Sequence, residues 1–347
     1  MKQKENQLNP CNLGDKTLLG TQLKEMVQGF QIMQSIFVVT KLGIPDLIQE
    51  GCTSCNELAK KSNTNGEALY RLLRALASVG IFLENETMCF HLTPLGTCLL
   101  DRPDSMRNYV LFQGEVGYAC WGELIHSLQT GQNSFEFLYG MKRIQYFQQN
   151  PKIGQIWDGL NTSLSAIQTS AIINAYDFSI AKKIADIGGG QGSLLASILK
   201  RYPTLQGILF EQPYPVEKAK DLLNREGVRD RCELVVGNFC KFISIEADLY
   251  LMKNVIQTLE KPIAINLLQD LHKSMKKGAK LLIVERVMGI SKTDWTNYFA
   301  NLNSLVLSSG KFRMEHELKE LLKVAKFKIV RIIPTESVVS IVECIPN

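Results

Sequence analysis

The hydrophobic pattern of this chain changes character past its middle. In the first part apolar residues recur at helical spacing. Residues 18–42 carry Met26, Val27, Phe30, Met33, Phe37 and Val38, too apolar a set for a lone surface helix. Residues 56–61 predict a short helix with Ser54 as its N-cap, followed by the polar turn 62–66. Residues 67–79 then place Leu69, Leu72, Leu73, Leu76 and Val79 on one wide face. The apolar pairs at 81–84 and 88–92, around Asn85-Glu86-Thr87, read as a hairpin. Helix, turn, helix, hairpin is a winged-helix pattern. Residues 111–170 continue as helices rich in aromatics, among them Phe112, Tyr118, Trp121, Phe135, Phe137, Tyr139, Tyr146, Phe147 and Trp157.

Later the apolar runs become short and continuous, as buried parallel strands require. They fall at 184–187, 207–210, 232–239, 247–253 and 280–285, interleaved with helical stretches at 193–200, 263–275 and 315–323. Alternation of this kind predicts an α/β fold with a Rossmann-like sheet. The expected organisation is a helical domain over residues 1–172 and a sheet domain over 173–347, the border near residues 172–178.

The candidate chemistry lies where the strands end. Ile184-Ala-Asp-Ile-Gly-Gly-Gly-Gln-Gly192 is a strand entering a glycine turn that opens a helix. Such a turn admits close backbone approach to a ligand, and the helix offers unpaired N–H groups. The spacing is GxGxG; Ser193 stands where a GxGxxG dinucleotide fingerprint needs its third glycine. Asp186 would repel a pyrophosphate and suits a cationic or amine-bearing ligand. Glu211 ends the next strand, where a carboxylate binds ribose hydroxyls. Asn238 and Phe239 follow as candidates for an adenine edge and face, and Lys253 closes the fourth strand.

These residues resemble the catalytic domain of class I S-adenosylmethionine-dependent methyltransferases. The whole chain is similar to the small-molecule O-methyltransferases, the family of caffeate-type, acetylserotonin and bacterial antibiotic-tailoring enzymes. Further matches are Lys41-Leu-Gly-Ile-Pro-Asp-Leu-Ile48, the segment from Ala68 to Gly80, Leu92-Thr-Pro-Leu-Gly96, Trp121-Gly-Glu-Leu-Ile-His-Ser127 and Asn301-Leu-Asn-Ser-Leu-Val-Leu307. The resemblance implies an S-adenosyl-L-methionine site at Gly188, Gly190, Glu211, Asn238, Phe239 and Lys253, with Glu211 and Asn238 where the family usually has aspartates. It also implies a homodimer joined through the first helices. Asn303, Trp121 and His126 become acceptor-site candidates, with Tyr298, Asn301 and Ser304 beside Asn303 on one helix.

The catalytic positions depart from the family. Its His-Asp-Trp triplet, whose His deprotonates the acceptor hydroxyl, reads Gln257-Thr258-Leu259 here. Glu285 matches the first of two glutamates that hold the His, and Phe312 replaces the second. Gln cannot titrate, so it orients a hydroxyl without taking its proton. Three routes remain open: Glu285 as base with a raised pKa, an acceptor ionised before it binds, or a cofactor held for a non-methylating cyclisation, dehydration or pericyclic step. His126 is a minor substitute base.

Composition sets limits around this reading. The net charge of +5 demands no polyanionic partner, and Arg71 and Arg74 are the only cations on helix 67–79, which argues against DNA binding by the winged helix. The polar amino end has no signal-peptide core, and no apolar run of about 18 residues offers a membrane span, so a cytoplasmic enzyme without nucleic-acid or membrane partners is expected. Nine scattered cysteines read as reduced, and Cys52-Thr-Ser-Cys55 lacks a second pair. His272 and His316 are expected at surfaces. No carboxylate cluster points to a metal.

Overall fold

A computed structural model describes residues 16–102, 105–238, 245–289, 295–308 and 310–347. The chain forms two compact units, Met1–Glu115 and Val116–Asn347.

The first unit is helical. Helix α1 (Lys16–Lys41) leads into α2 (Ile44–Gln49), α3 (Cys55–Lys61) and α4 (Gly66–Ser78). The Ser54 hydroxyl accepts the Glu57 N–H at 3.3 Å and Asn65 Oδ1 accepts that of Ala68 at 3.0 Å, so both helices of the winged-helix pair start on polar caps. Strands β1 (Phe82–Glu84) and β2 (Phe90–Leu92) make the hairpin, and α5 (Arg107–Phe112) follows. The hairpin strand starts at Phe90, not Met88. Asn85 Oδ1 accepts the N–H groups of Thr87 and Cys89, and Met88 is turned to φ 59°. Leu58, Leu69, Leu73, Leu76, Phe82 and Phe90 close the core of this unit. Only the last turns of α1 are buried; Leu23, Met26, Val27 and Phe30 stand at least half exposed.

The second unit opens with short helices α6 (Tyr118–Gly122), α7 (Leu124–Thr130), α8 (Ser134–Tyr139) and α9 (Arg143–Gln149), then the long α10 (Pro151–Ala175). Alternating strands and helices come next: β3 (Lys183–Ile187), α11 (Ser193–Arg201), β4 (Gln206–Glu211), α12 (Pro213–Arg225), β5 (Cys232–Val236), β6 (Leu249–Lys253), α13 (Lys261–Ser274) and β7 (Lys280–Glu285). Short β8 (Val287–Met288), α14 (Trp295–Leu307), β9 (Arg313–Met314), α15 (Glu315–Val324), β10 (Phe327–Pro334) and β11 (Ser340–Pro346) complete it. The main sheet has the order β10-β11-β7-β6-β3-β4-β5, parallel from β7 to β5 and antiparallel at β11 and β10. Alternate side chains of its strands enter two separate apolar clusters: Ala185 and Ile187 of β3 belong to one, Ile184 to the other. Compactness divides the chain between residues 115 and 116 and groups the helices of 116–175 with the sheet; the sequence reading placed the border near residues 172–178, around the end of α10.

Among the described residues no helix is long and apolar enough to cross a membrane, and the seven described cysteines are free. His272, expected at the surface, is instead half-buried with its ring edge-on to Phe327.

The antiparallel edge is fixed by one buried carboxylate. Glu343 in β11 accepts Lys280 at 2.6 Å and Arg331 at 2.8 Å, and it lies opposite Leu282 of β7. Burial by itself raises its proton affinity, but the two cations win and hold the carboxyl below its usual range. A carboxyl whose folded pKa is depressed contributes stability above its unfolded pKa and loses it as the pH falls. Glu343→Gln should therefore destabilise the protein by about 1–2 kcal/mol at neutral pH, both cations being partly exposed and free to rehydrate. The deficit should shrink towards zero below about pH 4 in urea melts run across pH.

Candidate active site

Parallel pairing brings the functional side chains to one edge. Asp186 lies beside Leu209 and Leu251, Glu211 beside Val236, and Lys253 beside Val284, so the carboxyl ends of β3, β4, β6 and β7 are level. The chain runs from β3 outward to β4 and β5, then returns to β6 and β7 on the other side. Beyond the end of β3 lies the switch point where open α/β sheets bind ligands.

The glycine turn hangs on that edge. Gly188, Gly190 and Gly192 take φ of 72°, 60° and 79°, a region L side chains rarely adopt. Gly189 is required for a different reason. A Cβ there would run into the Asp186 carboxyl and come within 2.7 Å of Leu209 Cδ1. The GxGxG pattern singles out the outer glycines; the middle one is held by contact, which only the fold reveals.

Asp186 is the centre of the electrostatics. It is 1% exposed, and neither carboxylate oxygen has a hydrogen-bond partner among the described residues. Burial pushes its pKa up to about 7; Lys253 opposes this and Glu211 adds to it. Lys253 is itself pushed down to about 8 by burial, with Asp186 opposing, and its ammonium donates to Ser165 of α10 at 2.6 Å. Glu211 Oε2 accepts the Gly190 N–H at 3.0 Å and Oε1 accepts that of Gln212 at 2.7 Å. A carboxylate has about four acceptor sites, so two remain for hydroxyl donors. The Gly237 N–H bonds to the Glu211 carbonyl at 3.0 Å, which sets exposed Asn238 just past β5. Phe239 lies outside the described residues. Ser165 and the Asn254 partner Gln168, both on α10, are site neighbours that the sequence reading missed; a polar residue inside an apolar helix carries no signal of its own.

The other catalytic candidates meet at the end of β7. Glu285 is 1% exposed, and its Oε2 accepts the backbone N–H of Gln257 at 3.1 Å. Burial raises its pKa to about 7, against Arg313 and the Gln257 N–H, which both lower it. The Gln257 Oε1 is buried without a partner among the described residues. Its carbonyl accepts the Lys311 N–H at 2.8 Å, binding the turn 256–258 to the segment after α14.

Trp121 and Asn303 are brought together: the indole N–H donates to Asn303 Oδ1 at 2.8 Å, joining α6 to α14. Asn301 Oδ1 accepts the Phe312 N–H. His126 stacks on Phe137 with centroids 3.9 Å apart and touches Thr130, and no contact ties it to Glu285 or Gln257 among the described residues. Many aromatics of residues 111–170 pack on one another: Phe135, Tyr139, Tyr146 and Phe147 form one cluster that continues to Trp157, with the Arg143 guanidinium 4.4 Å from the Trp157 ring centre.

An O-methyltransferase domain family matches residues 121–328, and an O-methyltransferase dimerisation domain family matches residues 24–102. The phenazine O-methyltransferase of Lysobacter antibioticus is 34% identical, the match covering 94% of this chain and 96% of that protein. The solved structure of the mitomycin 7-O-methyltransferase superposes with a TM-score of 0.89 at 32% identity, over 96% of this chain and 99% of that one. An O-methyltransferase from neocarzinostatin biosynthesis, solved with S-adenosylmethionine and 2-hydroxy-5-methyl naphthoic acid, superposes at 0.78 with 26% identity, over 91% and 96%. The chain belongs to the O-methyltransferase family, with an amino-terminal dimerisation domain and a carboxy-terminal α/β methyltransferase domain. It is an S-adenosylmethionine-dependent methyltransferase.

The residues present fit that cofactor. A buried carboxylate without a partner is satisfied by a donor-bearing cationic ligand, and the glycine turn leaves no side chain between Asp186 and such a ligand. Asp186, the turn 188–190, Glu211, Asn238 and Lys253 would hold it. When bound, it supplies an electrophilic methyl group on a positive sulfonium. Asp186 must be ionised to favour that cation, so cofactor affinity should rise as the pH climbs through about 7. Over the range below about 8, where Lys253 keeps its proton, calorimetric titration should find this dependence in the native chain. Asp186→Asn should remove it and weaken binding about tenfold or more.

Proposed function

We propose that the chain methylates a hydroxyl on a small aromatic or polyketide-like specialised metabolite, with Glu285 as proton acceptor and Gln257 orienting the hydroxyl. The observation that carries this reading is the contact of the Glu285 carboxylate with the Gln257 turn. The carboxyl oxygen that accepts from that turn is buried and has its proton affinity raised to near neutral. A base of that strength suits general-base work at physiological pH. Gln257 keeps an unpartnered carbonyl oxygen, a ready acceptor for the substrate's O–H. An acidic phenol needs only such a weak base, and orientation against the methyl supplies the rest.

Several features support a flat acceptor. Of the relatives, one is named for a phenazine and one for a mitomycin, and a third was solved with a naphthoic acid; phenazine and naphthalene are fused aromatic rings. The Trp121 indole, locked by Asn303, offers a planar wall with a polar partner, and His126 stacked on Phe137 offers a second flat surface. The dimerisation domain and the exposed apolar face of α1 support a homodimer joined there. The free cysteines suit a reducing cytoplasm.

Incubation with labelled S-adenosylmethionine and a panel of hydroxylated aromatics tests the reading. Transfer to at least one acceptor is expected, its rate rising with pH through about 7 as Glu285 loses its proton. Glu285→Gln should lower kcat by about 10²–10⁴-fold and abolish that rise. A full rate in Glu285→Gln would reject Glu285 as the base. Gln257→His places a titratable imidazole beside the Glu285 carboxyl and should accelerate transfer to weakly acidic phenols about tenfold or more, leaving acidic ones little changed.

A further inference from the structure

We infer that Arg313 is a positioning residue for methyl transfer, its guanidinium both locking the turn that presents Gln257 and supplying the cation that faces the Glu285 carboxyl. The inference rests on the reading of Glu285 as proton acceptor. Arg313 is 6% exposed, and its guanidinium nitrogens donate to the carbonyls of Ile256 at 2.7 Å and Leu259 at 3.0 Å. Those carbonyls flank Gln257 and Thr258, so one planar fork pins both ends of the turn. A lysine, with a single ammonium on a flexible stem, does not reproduce that fork.

The backbone brings the same residue towards Glu285. Arg313 pairs with Val287 in the two-residue β8–β9 ladder, and Val287 stands two positions beyond Glu285. The Lys311 N–H reaches the Gln257 carbonyl, and Asn301 of α14 holds the Phe312 N–H. The segment 311–313 is thus stitched to the turn, to α14 and to the strand end, with its cation directed inward. Among the described residues the guanidinium donates to these two neutral carbonyls, so its positive charge is left to act on the Glu285 carboxyl. Glu317 of α15 also acts on Arg313 and pairs with Lys311. Burial lowers the Arg313 pKa, opposed by Glu285 and Glu317, so the influence runs both ways.

Two functions on one side chain give separable outcomes. Removing the charge strengthens the hold of Glu285 on its proton, because Arg313 lowers the pKa of that carboxyl. Keeping the charge but removing the fork leaves the titration in place and loosens the turn. The first effect is read without any acceptor, from the infrared carbonyl band of protonated Glu285, identified as the band missing in Glu285→Gln. In the native chain it should titrate near 7. In Arg313→Gln the midpoint should rise by about one pH unit or more, a tenfold gain in proton affinity, whereas Arg313→Lys should restore it. The second effect is read by hydrogen exchange of the turn amides and by kinetics. Both variants should exchange faster at Gln257 and Thr258. Arg313→Lys should lower kcat about tenfold or more with the KM for S-adenosylmethionine unchanged.

A Glu285 band with the same midpoint in the native chain, Arg313→Gln and Arg313→Lys overturns the inference while leaving Glu285 as a base. A native chain with no carboxyl band titrating near neutrality removes the base reading and the inference with it. Should Arg313→Gln not fold, Arg313→Lys decides: fast turn exchange with an unmoved midpoint supports the double role, and native exchange with native kcat rejects it.

Discussion

The contact between the Asp186 carboxyl and the backbone of Gly189 is the constraint on which this molecule turns. It requires a glycine where any side chain would collide, and it holds an acidic group in the interior with its oxygens unpartnered among the described residues. Such a group is costly in an empty apolar setting. It persists because the level ends of four parallel strands fix β3, and because Lys253 on the neighbouring strand tempers its burial.

The acid–base character of the site is set by burial more than by residue identity. Asp186 and Glu285 are both carried up to about 7 by desolvation, and Lys253 is carried down to about 8. Two carboxyls and an ammonium, which titrate far from one another in water, are thus brought together around neutrality, where proton transfer is most effective. On the proposed reading, Glu285 takes over the proton that a histidine at the Gln257 position would accept. A carboxyl at the end of β7 already has a proton affinity near that of imidazole, and the Gln257 turn lies in hydrogen-bond contact with it.

The second unit shows how a catalytic edge is braced from outside. Helix α10 sends Ser165 to Lys253 and Gln168 to Asn254, the α6–α14 bond closes Trp121 onto Asn303, and the Glu343 ion cluster fixes the strand beside β7. Each of these contacts restrains one element against another, as Arg313 does through two carbonyls.

Much of this was legible before any coordinates. The glycine turn, the order of strand ends carrying Asp186, Glu211, Asn238, Lys253 and Glu285, and the altered triplet at Gln257 are local features. Strand periodicity and turn chemistry act over a few residues, so the sequence alone determined the α/β class and the strand ends that carry these side chains. Tertiary structure decided the rest. It made Gly189 the indispensable glycine, bonded Trp121 to Asn303, set His126 against Phe137, grouped the helices of residues 116–175 with the sheet, and brought Arg313 to a turn more than fifty residues earlier in the chain. These depend on which surfaces meet once the sheet is assembled. A side chain's proton affinity or partner is a property of that meeting, and no short stretch of sequence contains both sides of it.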